Sequence, residues 1–263
     1  MALWILAAIA LLLAAIMTIA WAIRLWTGQS GWIDACWSAG VGLAGVLASL
    51  APFRDIAPRQ WLCAALVGTW SARLALHIVR RTATATKDDP RYAGLVADWG
   101  EAWRARLLLF LQIQAACALG LAIAAGAAAH APRPGLDWRD ALGAAILALA
   151  VVGEAIADAQ LRAFAAARNH RGAVADTGLW GWSRHPNYFF EWLGWFGYVA
   201  IAITPGYGAG WLALIGPALM YWLLVHASGI PPLEKHMLAS RGDAFRAYQA
   251  RVRAFFPLPP RRR

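Results

Sequence analysis

The sequence predicts an all-α, integral membrane protein with seven transmembrane helices, the amino terminus outside and the carboxyl terminus in the cytoplasm. Three observations predict it. Hydrophobic residues make up 60% of the 263 residues and charged residues only 14%, a balance that no soluble domain of this size needs. Seven apolar stretches are long enough to span a bilayer or nearly so, at about 2–25, 31–53, 60–79, 105–130, 138–160, 188–203 and 209–227. The basic residues fall in alternate loops, and that asymmetry sets the orientation.

The first run is about twice the length of a signal-peptide core and lacks a basic start, so it reads as a retained helix. Arg24 follows it. The second span opens with "GWIDACW", which places Asp34 a few residues into the apolar stretch, on the outer side. Asp34 there is either an interfacial carboxylate or an acid kept protonated by desolvation, able to donate to a substrate oxygen. In the third span "TWSARLALHIVRR" sets Arg73 and His77 four residues apart, on one helical face, with Arg80 and Arg81 at the cytoplasmic end. An ionisable group that deep is either a satisfied structural residue or part of a substrate site.

The loop that follows, "TATATKDDPRYAGL", clusters Lys87, Arg91 and Tyr92 around Pro90, which interrupts any helix. It suits phosphate, and it would look the same as a solvated turn. The fifth span closes with "GEAIADAQLRAF", in which Glu154, Asp158 and Arg162 step along one face. They form either an intrahelical ion pair or a grip on a polar head group.

Before the sixth span comes "GLWGWSRHPNYFFE". Pro186 can start a helix because its missing donor costs nothing there, which leaves Ser183, Arg184 and His185 in the preceding loop. Backbone amides at a helix start favour anions, and the Arg184 guanidinium fork suits phosphate. Asn187 and Glu191 share a face on the first turns, where they can grip a carboxamide or ribose. Tryptophan and tyrosine anchoring at the interface explains the aromatic residues of this stretch but not the asparagine and glutamate.

The net charge of +10 would suit nucleic acid, but its distribution is that of topology signals. The loops opposite the cytoplasm hold only Arg54, Arg59, Arg133 and Arg139. No nucleic-acid partner is expected; membrane lipids are. Cys36, Cys63 and Cys117 lie in separate apolar spans without metal-ligand spacing, so no metal is expected. No glycine-rich dinucleotide fingerprint follows a strand. The economical organisation is one helical domain over 1–263, with the polar motifs concentrated in 80–263.

"GLWGWSRHPNYFFE", "SGIPPLEKHML" and "AYQARVRAFFPLPP" resemble the membrane-embedded reductases related to steroid 5-alpha-reductase, in particular their bacterial relatives; "KDDPRY" and "EAIADAQLRAF" resemble that bacterial group too. The resemblance runs from the third span to the end, with Asp34 and its tryptophans matching earlier. It implies a seven-helix protein of the bacterial inner membrane that binds NADPH in a cytoplasmic-side cavity. Its substrate would be a lipophilic enone, such as a 3-oxo-Δ4 steroid, entering from the bilayer.

By the same resemblance, Asn187, Glu191 and Asp158 help hold the cofactor. Ser183, Tyr188 and the basic residues Lys87, Arg91, Arg162, Arg171, Arg184 and His185 complete its site, the bases sharing the phosphates. Where the steroid enzymes carry a ketone-binding tyrosine in the third span, this chain has Ile78, next to His77. Hydride to the β carbon of an enone leaves negative charge on the carbonyl oxygen, and a donor aimed there is worth about 3 kcal/mol. Asp34, His77 and Tyr92 are the candidates for that donor.

A similar Arg-His-Pro-x-Tyr string occurs in isoprenylcysteine carboxyl methyltransferases, which use S-adenosylmethionine. A lipid methyltransferase is therefore the first alternative, and a non-catalytic lipid carrier or transporter the second.

Overall fold

In the computed structural model, residues 3–166 and 173–261 are described. They are predominantly helical, with no strand among them. The α-helices are α1 (Leu3–Thr27), α2 (Gly31–Leu50), α3 (Pro58–Ala83), α4 (Pro90–Trp99), α5 (Trp103–Ala129), α6 (Trp138–Ala166), α7 (Pro186–Ala202), α8 (Ile215–Trp222) and α9 (Ile230–Arg251). Six helical runs among the described residues are long and apolar enough to cross a membrane: Leu3–Thr27, Gly31–Leu50, Pro58–Ala83, Pro90–Ala129, Trp138–Ala166 and Gly208–Arg251. The chain is a membrane protein on this evidence. The short sixth stretch of the sequence is α7, 17 residues long.

The chain forms two compact units, Met1–Ala144 with Gly197–Leu219, and Ala145–Phe196 with Met220–Arg263. In the first unit α2 packs closely along α3, because small residues line the seam. A Cβ on Gly42 would lie 2.2 Å from the Ser71 Cβ, and one on Gly45 would lie 2.7 Å from Val67 Cγ2. Ser71 closes the contact by donating to the Ser38 carbonyl at 2.8 Å. Lipid tails are as apolar as leucine, so close backbone approach and hydrogen bonds, rather than hydrophobic exclusion, hold such helices together. On α1, Ile5, Ile9, Leu13 and Met17 are buried at helical spacing while Leu3, Trp4, Leu11 and Ile19 stay exposed, as a helix apolar all round does when it faces lipid with one side.

The loops of this unit contain a knot of buried charge. Arg59, at the start of α3, meets Asp140, in the first turn of α6, through Nε at 2.7 Å and Nη2 at 2.9 Å. Its remaining donors reach the carbonyls of Ala131, Arg133 and Gly135. Arg133 adds an ion pair to Asp140 at 3.3 Å and donates to the Ile201 carbonyl at 2.7 Å. Arg59 is thus a buried structural cation and Arg133 a half-buried one.

In the second unit the seam is between α6 and α7. A Cβ on Gly153 would lie 2.4 Å from the Phe190 ring, and one on Gly194 would lie 3.3 Å from Ala150. The chain after α9 returns across the loop before α7: Arg184 N–H donates to the Arg253 carbonyl at 2.9 Å, and Leu258 N–H to the Trp182 carbonyl at 3.1 Å. Phe189, Trp192, Tyr221 and Phe255 close the gap with edge-on and tilted ring contacts.

Two elements differ from the sequence reading. Pro90 does not interrupt a helix but begins α4, with Asp89 as its N-cap accepting from Arg91 N–H, since a missing donor costs nothing at that position. The tail after 228, which offers no apolar span and reads from the sequence as loop, forms α9 over Ile230–Arg251.

Replacing Arg59 with leucine strands the Asp140 carboxylate in a buried site, and a loss of about 3–5 kcal/mol is expected. The check is the thermal midpoint of the purified protein in detergent, where Arg59→Leu falls well below the parent and the double variant Arg59→Leu/Asp140→Leu recovers part of the loss.

Candidate functional site

Besides the Arg59–Asp140 knot, polar side chains of the sequence-predicted set gather in both units. In the first unit the gathering is built on the acidic turn before α4. Asp88 accepts from Arg24 at 3.1 Å, from Ser30 N–H at 2.6 Å and from the Ser30 hydroxyl at 3.0 Å. Asp89 accepts from Arg91 Nε at 3.0 Å and Nη2 at 2.8 Å. Burial alone would raise the Asp89 carboxyl, but the Arg91 bonds outweigh it and hold it below the usual carboxylate range.

Arg91 reaches on to Asp34, whose other oxygen accepts from the Tyr92 hydroxyl at 2.8 Å. Two sequence expectations change here. The sequence reading put Asp34 and the Lys87–Tyr92 segment on opposite sides, but Asp34 shares an end of the unit with Arg24, Asp88 and Arg91, because the chain turns back after α1 within a few residues. It also accepts from both neighbours, which is the behaviour of a carboxylate and not of a protonated donor. Tyr92 is buried and Arg91 half-buried, while Lys87 is exposed. Arg91 thus holds Asp34 and Asp89. His77 is half-buried on α3, one residue before buried Ile78.

In the second unit, Asp158 on α6 and Glu191 on α7 are buried, as is Glu154. Asn187 donates to Asp158 at 3.4 Å. The expected grouping of Asp158 with Asn187 on adjacent helices is present, and Glu191 lies one turn further along α7. Arg162 is exposed near the end of α6. Arg171 lies outside the described residues.

Arg184 and His185 have a different partner from the one expected. Arg184 holds Glu234 of α9 through Nε at 2.8 Å and Nη2 at 3.0 Å, and turns Nη1 to the Val252 carbonyl. His185 Nε2 meets the same carboxylate at 2.9 Å, and Gln249 donates to it at 2.7 Å. A carboxylate only accepts, so Nε2 of His185 carries the proton. Burial pushes this imidazole below its ordinary value, a pull that the Glu234 hydrogen bond and charge oppose and the Arg184 charge reinforces. Tyr188 stacks on its ring, centroids 5.5 Å apart. Ser183 is fully buried, donating to the Phe255 carbonyl at 2.8 Å and accepting from His185 N–H. It is a brace of the loop.

Beside this clamp lies a cavity of about 910 Å³. Its apolar walls come from Phe164, Trp180, Leu233, Met237 and Phe245, and its polar groups are Arg184, His185, Arg241 and Tyr248. It includes Arg184 and His185 from the sequence-predicted set; Asp158 and Asn187 lie a few residues away along the same chain segments. Glu234, Gln249, Arg241 and Tyr248 were missed. Glu234 and Arg184 are 50 residues apart, and no periodicity links them.

The family profile described as a protein of unknown function, DUF1295, matches residues 20–252, and the chain belongs to that family. No curated protein and no solved structure matches it.

Because the folded His185 takes a proton less readily than a free imidazole at 6.5, the stability it contributes is full above about pH 6.5 and is lost as pH falls through its lower folded value. The thermal midpoint should drop as pH falls below about 6.5, with a smaller drop in His185→Gln. A midpoint that rises on acidification would contradict this.

Proposed function

We propose that this member of the family is an NADPH-dependent reductase of a lipophilic enone, of the steroid 5-alpha-reductase type, with seven spans and a cytoplasmic carboxyl terminus. The observation that carries the reading is the continuity of the second unit's site. A cavity of about 910 Å³ with cationic and aromatic walls lies along the end of α6 and the loop before α7, a few residues from the Asp158–Asn187 pair. Its volume is in the range of small-molecule and cofactor sites. Leu161 lines the cavity and Asp158 is three residues, roughly 4.5 Å, further along α6. An elongated ligand with a charged end and an amide end suits that order. The family's relation to steroid 5-alpha-reductase-like membrane proteins supports the reading.

NADPH bound there would supply the hydride for the β carbon of the enone. The residues have separate tasks. Asn187 and Asp158 would orient the carboxamide end, with buried Glu191 beneath them. The cavity would take the phosphates and the adenine ring. In the first unit, taken by itself, Tyr92 would be the donor to a substrate oxygen: its buried hydroxyl donates to Asp34 at 2.8 Å, and a substrate oxygen would compete for it. Arg91 would hold Asp34 in place. Such donors act before charge develops, and removing one typically costs 10²–10³ in kcat.

Titration of the detergent-purified protein with NADPH, NADH and S-adenosylmethionine tests the site. NADPH binding that Asn187→Ala and Glu191→Ala both weaken, together with a roughly 100-fold lower turnover in Tyr92→Phe at unchanged NADPH affinity, is the expected result. Binding of S-adenosylmethionine alone would turn the reading to a lipid methyltransferase.

A further inference from the structure

Four polar side chains line the cavity of the second unit, and three of them are committed to protein acceptors. Arg184 is spread over Glu234 and the Val252 carbonyl. His185 donates to Glu234. The Tyr248 hydroxyl donates to the Trp180 carbonyl at 2.6 Å. Arg241 is different. Its Nε holds the Ala173 carbonyl at 2.9 Å, and its Nη1 meets only the Met237 sulfur at 3.0 Å, a weak acceptor. No ion pair involves it, and no aspartate or glutamate lines the cavity among the described residues. A half-buried guanidinium with free N–H groups, in a cavity otherwise walled by apolar and aromatic groups, is an unbalanced positive charge. An anion with several acceptor oxygens balances it, and the planar fork fits phosphate best.

The backbone holds this arginine in position. Gly242, the next residue, has φ +50° and ψ −121° and breaks α9 into two segments. A Cβ there would touch nothing within 4 Å, so the need for glycine is conformational, not steric crowding from neighbours. The break ends the first segment of α9 at Arg241.

We infer that Arg241 receives the 2'-phosphate of the bound dinucleotide and so sets the preference for NADPH over NADH. The assignment rests on the reductase reading above and adds to it a residue that no sequence motif marked. The same chemistry is presented by the phosphate of an anionic lipid, and the test separates the two.

The full chain in phosphatidylcholine nanodiscs is titrated with adenosine 2'-monophosphate, adenosine, NADPH and NADH, as parent, Arg241→Gln and Arg241→Lys. The expected result is about a tenfold loss of affinity for adenosine 2'-monophosphate and NADPH in Arg241→Gln, partial recovery in Arg241→Lys, and unchanged NADH binding. Equal weakening of NADPH and NADH, or no change for adenosine 2'-monophosphate, overturns the assignment. Displacement of adenosine 2'-monophosphate from the parent by phosphatidic acid in the discs overturns it in favour of a lipid. Thermal midpoints of the three proteins establish that they are equally folded. NADPH bound through Arg241 but never consumed with any enone would refute the reductase reading and leave the assignment standing, so the two failures are distinguishable.

Discussion

Glu234 accepts four hydrogen bonds from three side chains: two from Arg184, one from His185 and one from Gln249. A carboxylate offers about four lone-pair sites, so this one is saturated. The bonds tie the loop before α7 to α9, and they neutralise a half-buried guanidinium that would otherwise be costly to keep out of water. Much of the second unit follows from that tie. The loop that starts α7 is fixed, so Asn187 and Glu191 project from a defined first turn. The wall of the cavity is rigid where Arg184 and His185 form it. Arg241, which shares α9 but not the carboxylate, keeps N–H groups for a ligand.

The first unit solves the same problem with the acidic turn Asp88–Asp89. Each carboxylate there meets an arginine, and Arg91 links Asp89 to Asp34. Charges near the lipid boundary are tolerated when they are paired locally. The pairing also leaves Tyr92, buried and pointed at Asp34, as the hydroxyl whose environment is most specified. In both units, then, an ion pair orients a neutral or singly protonated group beside it.

Apolar run length made the spans legible in the sequence, because lipid demands continuous helices whatever the tertiary contacts. The start of α7 at Pro186 was legible for a local reason, the proline's missing donor. The same logic applied to Pro90, but the polar residues around it resembled a loop and hid α4. Asp34 was separated from Arg91 and Tyr92, which it meets, although its basic neighbour Arg24, set at the same end as the 87–92 segment, precedes it by only ten residues. The partner of Arg184 and His185 was not legible at all. A phosphate preference can be read from an arginine and a helix start; a carboxylate that meets the same arginine from another helix cannot. Arg241 escaped for the converse reason, since nothing in "MLASRGDAF" separates a cavity cation from a solvated one.

Transfer of label is the measurement that decides most directly between a reductase and its rivals. The purified protein is incubated with NADPH carrying deuterium at the transferable position of C4 and with a 3-oxo-Δ4 steroid such as progesterone or testosterone, and the product is read by mass spectrometry and NMR. A saturated ketone with one deuterium at the former β carbon is the expected product. Recovery of unlabelled enone across a panel of such ketones, with methylated lipid formed when S-adenosylmethionine is supplied instead, would contradict the account.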